Sequence, residues 1–195
     1  MQLSKSKTYE NLAKSFVGEC QARCRYQMME YGARTQGFVA MADLIKKVQT
    51  NEYNHARMFY TNIQKSGTKT IENIEISAGY PFKERWNLLD NLKFAVEDET
   101  NESTLIYPSF AKTADEEGFP EIAKLYRDII QVETCHKKLF QQFYDQMKNG
   151  TMYKSDKAVK WKCGDCGYEA TSKEAWEICP LCAAKQGFVL LQIQE

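Results

Sequence analysis

NEYNHARMFY, residues 51–60, has the spacing of a helix whose buried face carries the wrong chemistry for a core. Steps of three and four residues through this region collect Met41, Ile45, Val48, Glu52, His55 and Phe59 on one stripe. A stripe of that period packs against the interior, yet an acid and an imidazole hold consecutive places on it. The pattern returns downstream, where Ile122, Tyr126, Ile129, Glu133, His136, Phe140 and Phe143 share a second stripe. The chain has two histidines, and both follow glutamate at the same spacing. One Glu-x-x-His is ordinarily a solvated i,i+3 pair. Two of them, both on apolar stripes, argue against a solvated face.

The surrounding sequence predicts four helices. The first runs roughly from Lys5 to Thr35 with Leu12, Phe16, Glu19, Ala22 and Tyr26 inward, and the second from about Phe38 to Lys65. SGTKTIENIEISAGYP (66–81) is long enough to cross the end of a bundle. The third is expected from about Phe82 to Glu117, with Leu88, Leu92, Ala95, Glu99, Glu102, Ile106 and Phe110 inward. Pro120 opens the fourth, where a first-turn proline belongs, and the helix continues to about Lys148. Ala33-x-x-x-Gly37-Phe38 returns as Ala114-x-x-x-Gly118-Phe119, and at the same offset Tyr26 matches Tyr107, Glu52 matches Glu133 and His55 matches His136. Two similar helical hairpins joined by a long crossover make a mainly α four-helix bundle with approximate two-fold symmetry. The register slips once: Glu19 lies seven residues before Tyr26, but Glu99 lies eight before Tyr107. One extra residue inside a helix predicts a π-bulge between Glu99 and Pro108.

Glu19 and Glu99 add an inward acid from each remaining helix, and Glu102 a second from the third. One Glu from each of two helices and Glu-x-x-His from each of the other two is an arrangement for two metal ions in a bundle core. Ionised carboxylates are prohibitively costly in an apolar interior unless a cation compensates them. Glu52 and Glu133, central in the repeat, are placed to bridge both ions. Oxygen-rich ligation with one nitrogen per ion suits iron or manganese better than zinc or copper. Tyr26 and Tyr107 lie one or two turns from these ligands; they either hydrogen-bond the metal-bound carboxylates or serve as core aromatics with a polar tip. Cys20, Cys24 and Cys135 point off the ligand face and are expected to be small buried side chains.

Lys+Arg and Asp+Glu are both 26, so the net charge of zero favours neither nucleic acid nor an anionic membrane as a partner. The N-terminus has no apolar signal region and no run approaches membrane-spanning length, so a soluble, non-secreted cytoplasmic protein is expected. Seven cysteines without an export signal argue for thiols and metal. In WKCGDCGYEATSKEAWEICPLC (161–182), Cys163, Cys166, Cys179 and Cys182 form two Cys-x-x-Cys knuckles, the spacing of a tetrahedral thiolate site. Spacing alone leaves zinc and iron open. The expected organisation is a bundle over 1–149, a polar linker over 150–160 and a Cys₄ module over 161–195.

CGDCGY followed by CPLC, with Trp161, Tyr168, Trp176 and Phe188 nearby, resembles a shortened rubredoxin. Glu52-x-x-His55, Glu99-x-x-Glu102 leading into LIYPSFAKTADEEGF, Glu133-x-x-His136 and the four cysteines together resemble the rubrerythrin family over essentially the whole chain. Its members are non-haem di-iron peroxidases of anaerobic and microaerophilic microbes. The resemblance implies a ferritin-like bundle holding two oxo- or hydroxo-bridged irons, plus one iron in the Cys₄ site. It further implies that Glu52 and Glu133 bridge, that Glu99 and His136 serve one iron, and that Glu19 serves the other. That second iron shifts between His55 when reduced and Glu102 when oxidised. The implied activity is reduction of hydrogen peroxide to water in oxidative-stress defence. Electrons would come through the Cys₄ iron from a rubredoxin or an NAD(P)H-linked reductase, in a head-to-tail homodimer. Ferroxidase or iron-storage function, and a non-catalytic zinc ribbon, are the alternatives. Ala183 departs from the rubredoxin pattern, which carries glycine after its last knuckle cysteine, and predicts strain there.

Overall fold

The computed structural model describes residues 2–67, 69–77 and 87–193. After a single 3₁₀ turn at Leu3–Lys5, α1 (Lys7–Thr35) and α2 (Val39–Gln64) form the first hairpin. The Ser6 hydroxyl caps α1 by accepting from the Tyr9 amide at 3.1 Å. The second hairpin pairs α3 (Leu88–Asn101), a π-helical turn (Glu102–Ile106) and α4 (Tyr107–Glu116) with α5 (Pro120–Asn149). The residues from Phe82 to Trp86, expected to begin the third helix, lie outside the described residues.

The repeat read from sequence is present as matched helix ends. Gly37 (φ 90°) and Gly118 (φ 82°) both take the left-handed conformation that releases a helix. Phe38 donates to the Ala33 carbonyl at 2.9 Å and Phe119 to that of Ala114 at 2.8 Å. The predicted π turn falls where the extra residue required it, with the Tyr107 amide donating to the Glu102 carbonyl. Its consequence corrects one expectation: Ile106, placed inward by a regular 3.6 period, is turned outward, while Tyr107 takes the buried position.

Among the described residues, two apolar clusters fill the bundle. One gathers Tyr26, Met41, Ile45, Leu92, Phe140 and Phe143; the other gathers Leu12, Phe59, Tyr107, Ala114, Ile122 and Tyr126. Between them lies a buried polar layer, Glu19, Glu52, His55, Glu99, Glu133 and His136. Cys20, Cys24 and Cys135, expected to be buried, are exposed. Each sits next to or near a ligand position in sequence, and at 100° per residue a neighbour of an inward residue turns toward the outer face.

Residues 154–160, expected as part of the linker, instead belong to β1 (Lys154–Lys162), which pairs antiparallel with β2 (Glu169–Glu174). Most of its side chains are exposed, so no alternation of apolar and polar residues marks it as a strand. What holds it is backbone pairing around the buried Trp161, whose indole N–H donates to the Ser172 carbonyl at 3.1 Å. Met152 and Leu191 join the first bundle core, and the Gln142 amide donates to the Gln192 carbonyl at 2.6 Å. The module therefore docks on its own bundle. Among the described residues, no helix is long and apolar enough to cross a membrane.

Candidate metal centres

The polar layer is built by the period of the helices. α1 supplies Glu19, α3 Glu99, α2 Glu52 and His55 one turn apart, and α5 Glu133 and His136 in the same relation. The four glutamates are at most 1% exposed. Ligand atoms of Glu19, Glu52, His55 and Glu133 lie within 4.8 Å of one another, as do those of Glu52, Glu99, Glu133 and His136. The two sets share Glu52 and Glu133. His55 Nδ1 stands 2.9 Å from Glu133 Oε1, 3.3 Å from Glu52 Oε2 and 3.7 Å from Glu19 Oε2. His136 Nδ1 stands 2.8 Å from Glu133 Oε2, 3.0 Å from Glu52 Oε1 and 3.8 Å from Glu99 Oε2.

These atoms converge at ion-pair distances but without hydrogen-bond geometry. Among the described residues, Glu19 Oε2, Glu99 Oε2, both oxygens of Glu52 and Glu133, and Nδ1 of both histidines are buried with no hydrogen-bond partner. Buried acceptors in native proteins are almost always satisfied, and orphaned oxygens and ring nitrogens aimed at shared centres are the donor set of hard-to-intermediate cations. The residues fit a pair of iron ions. The electrostatics agree: burial pushes the Glu19 and Glu99 carboxyls well above the ordinary range, and neighbouring glutamates push them further. A proton or a metal ion relieves that cost.

The remaining oxygens of Glu19 and Glu99 are held crosswise. Tyr26 donates to Glu99 Oε1 and Tyr107 to Glu19 Oε1, each at 2.5 Å. Of the two roles left open for these tyrosines, the hydrogen-bonding one is what the structure contains, and the bonds obey the two-fold relation of the repeat. Glu102 stands apart from both four-residue sets. It is half-buried on the π turn and lines a surface pocket. Burial, with Glu133 and Glu52 adding repulsion, raises its carboxyl to about 8, so it lies within the field of the cluster. Asn51 was not foreseen: its side-chain amide reaches His136 Nε2 at 3.0 Å. Its repeat partner is Val132, so the symmetry that exposed the other site residues carried no signal for it.

In the module, Cys163, Cys166, Cys179 and Cys182 converge. Cys163 Sγ is 3.8 Å from Cys182 Sγ, and Cys166 Sγ 3.7 Å from Cys179 Sγ. Sulfurs about 2.3 Å from a central ion in a tetrahedron stand about 3.8 Å apart, so the cage has metal dimensions. The two knuckles match: Gly167 donates to Cys163 and Ala183 to Cys179, each at 3.0 Å. Gly167 has φ 79° and Ala183 φ 61°, so the alanine does occupy a left-handed position. Tyr168 and Trp176 meet edge-on beside the knuckles with centroids 5.2 Å apart.

A four-helix bundle with a carboxylate–histidine pair of sites, joined to a thiolate cage, defines a non-haem di-iron protein carrying a rubredoxin-like module. Residues 10–144 match the Rubrerythrin family model and residues 161–188 the model for the rubrerythrin rubredoxin-like domain. The chain is 42% identical over 186 residues to a rubrerythrin of Clostridium perfringens, covering 95% of this chain and 94% of the relative. It is 35% identical over 192 residues to one of Nitratidesulfovibrio vulgaris, covering 98% and 97%. A mixed-valence structure of nigerythrin superposes with a TM-score of 0.62 at 22% identity, covering 98% of this chain and 94% of that one. The chain belongs to the rubrerythrin family. Its two metal-binding clusters are consistent with a di-iron centre and an Fe(Cys)₄ centre, and with the peroxide-reducing oxidoreductase activity typical of that family.

Proposed function

We propose that this chain reduces hydrogen peroxide to water at the bundle centre, with electrons relayed through the Cys₄ site. The observation that carries the reading is the pair of buried donor sets sharing Glu52 and Glu133, on the same chain as a metal-sized thiolate cage. In the loaded protein Glu52 and Glu133 would serve both irons, Glu99 and His136 would complete one set of donors, and Glu19 and His55 the other. The irons would supply the two electrons that peroxide reduction needs. Tyr26 and Tyr107 hold Glu99 and Glu19 in orientation, and Asn51 does the same for His136. Glu102 would take over from His55 as donor when the loaded site is oxidised, since added positive charge favours an anionic oxygen over a neutral nitrogen; the repulsion it feels from Glu133 and Glu52 supports this. Cys163, Cys166, Cys179 and Cys182 hold the single iron, and the buried Trp161 and the Tyr168–Trp176 pair shield the module from water.

The external donor is a rubredoxin or an NAD(P)H-linked reductase, the working form a head-to-tail homodimer, and the setting the cytoplasm. Iron storage explains the bundle but gives the thiolate cage no task. The test uses iron-loaded protein, a reductase and NADH. Wild type should be red and consume peroxide, whereas Cys179→Ser should keep its di-iron content yet lose donor-linked turnover. Full donor-linked turnover by Cys179→Ser would remove the relay from the reading. A large hollow assembly in sedimentation would replace it with storage.

A further inference from the structure

A cavity of about 530 Å³ opens between α1 and the π turn. Its lining includes Glu102 and Tyr107, and Tyr107 is the residue that holds Glu19. One side chain, Tyr107, thus connects the cavity lining to the Glu19 side of the cluster. Ile76, Leu105, Ile106 and Phe110 are its large aliphatic and aromatic lining residues, and Lys14, Arg25, Asp98 and Asn101 line it as well. Leu105 is 64% and Ile106 39% exposed, two large aliphatic neighbours turned toward solvent where the π turn has shifted the register. A water molecule occupies about 30 Å³ of liquid, so hydrogen peroxide needs only a small part of this space. Volumes of a few hundred Å³ with apolar walls and a few polar groups at one end are those of organic-ligand sites.

We propose that this cavity admits organic hydroperoxides, with the alkyl or aryl group against Leu105, Ile106 and Phe110 and the –OOH end toward Glu102 and Tyr107. The inference rests on the peroxide-reductase reading and extends its substrate class. The reaction is ROOH + 2 e⁻ + 2 H⁺ → ROH + H₂O: the O–O bond breaks, and the two electrons are those that the iron-loaded, reduced centre of the proposed function would supply. Solvent provides one proton to the alkoxide oxygen and one to the hydroxide.

The test compares hydrogen peroxide with cumene hydroperoxide on iron-loaded protein, using wild type, Leu105→Asp and Ser109→Trp. Both substitutions are at exposed wall positions, one charging the wall and one filling the cavity. A second readout needs no turnover: calorimetric binding of the product alcohol, 2-phenyl-2-propanol, to the loaded protein. The expected result is that both variants lose at least tenfold in kcat/KM for cumene hydroperoxide and change less than twofold for hydrogen peroxide. Alcohol binding should weaken in parallel. Reduction of hydrogen peroxide without reduction of cumene hydroperoxide overturns this proposal and leaves the peroxidase reading intact. Unchanged kinetics with cumene hydroperoxide in both variants, or equal loss for both peroxides, overturns it too, since the cavity then does not select the organic group. A change in sedimentation of Leu105→Asp with unchanged cumene hydroperoxide kinetics assigns the wall to a second copy of the chain. Reduction of neither peroxide by wild type ends both readings together.

Discussion

Replacing Tyr107 by phenylalanine removes one oxygen from the structure and little else. The ring stays packed against Phe59, Phe110 and Tyr126, with centroids 5.8, 6.4 and 5.6 Å away. What disappears is the bond to Glu19 Oε1, buried at both ends. Burial raises the Tyr107 phenol well above its ordinary range, and the nearby carboxylates raise it further, so it is a protonated donor throughout the working range. A hydrogen bond to a charged acceptor contributes about 1.5–3 kcal/mol, and loss of a group orienting a metal ligand costs about 10–100-fold in affinity. Those figures agree, since tenfold corresponds to about 1.4 kcal/mol. Tyr107→Phe should therefore lose 10–100-fold in affinity at the metal site served by Glu19, and Tyr26→Phe the same at the site served by Glu99. Tyr126→Phe is the control. It lies in the same aromatic cluster and is equally buried, but its hydroxyl meets Ser15 Oγ at 3.1 Å, not a cluster carboxylate. It should change metal affinity less than twofold. Anaerobic titration of Fe(II) against a competing chelator reads all three. Equal affinities for Tyr107→Phe and Tyr126→Phe would show that these hydroxyls serve packing and not the metal.

Ala183→Gly should stabilise the module by about 1 kcal/mol, because an L side chain in the left-handed region costs about 1–2 kcal/mol and Ala183 has φ 61°; denaturant unfolding followed by the thiolate–iron absorbance should show a higher midpoint, and a lower one refutes the strain. At Gly187 an added Cβ would lie 1.6 Å from the Gly37 carbonyl oxygen, so Gly187→Ala should loosen the module by about 1–3 kcal/mol, read as faster hydrogen exchange around Phe38; unchanged exchange means the two do not touch. Metal-free protein should lose stability as pH rises from about 6 to 9. Burial lifts the folded carboxyls of Glu19 and Glu99 above their unfolded value, and Glu133 and Glu52 outweigh burial to lift His136 to about 9. Groups with raised folded values stabilise fully below their unfolded values, and that contribution disappears as pH climbs through the folded ones. Glu52, shifted down to about 2 as His136 and His55 outweigh its burial, acts in the opposite sense only between about pH 4.5 and 2. Urea midpoints of the metal-free protein that rise between pH 6 and 9 would contradict this.

The centre was legible because charged groups stand out on an apolar stripe: Glu52, His55, Glu133 and His136 announce themselves by period, and the repeat checks them. Asn51 gave no such signal, being a polar residue at a half-buried position whose repeat counterpart is the apolar Val132. β1 was hidden because its exposed faces carry no alternation, and the docking of Gly187 on Gly37 is a contact between backbones that side-chain patterns do not record. Helical phase turns Cys20, Cys24 and Cys135 off the ligand face, and that same phase carries them to the exposed side of the bundle, which the usual burial of free cysteine does not override.

The π turn shows how far one extra residue reaches. At 100° per residue, seven positions return to within about 20° of the start, while eight miss it by about 80°. A regular helix from Glu99 would thus turn Tyr107 off the inward line and away from Glu19; the wide turn restores it. The sequence count says that the wide turn exists, but its position depends on local backbone chemistry. Pro108 follows it directly, and a proline within a regular helix both lacks an amide donor and crowds the carbonyl four residues back. Widening the turn over Glu102–Ile106 relieves that crowding. The same shift moves Ile106 outward and sets Glu102 at the cavity beside the cluster. The wide turn, the outward Ile106 and the inward Tyr107 therefore form one feature, because each follows from fitting eight residues where the symmetric helix uses seven.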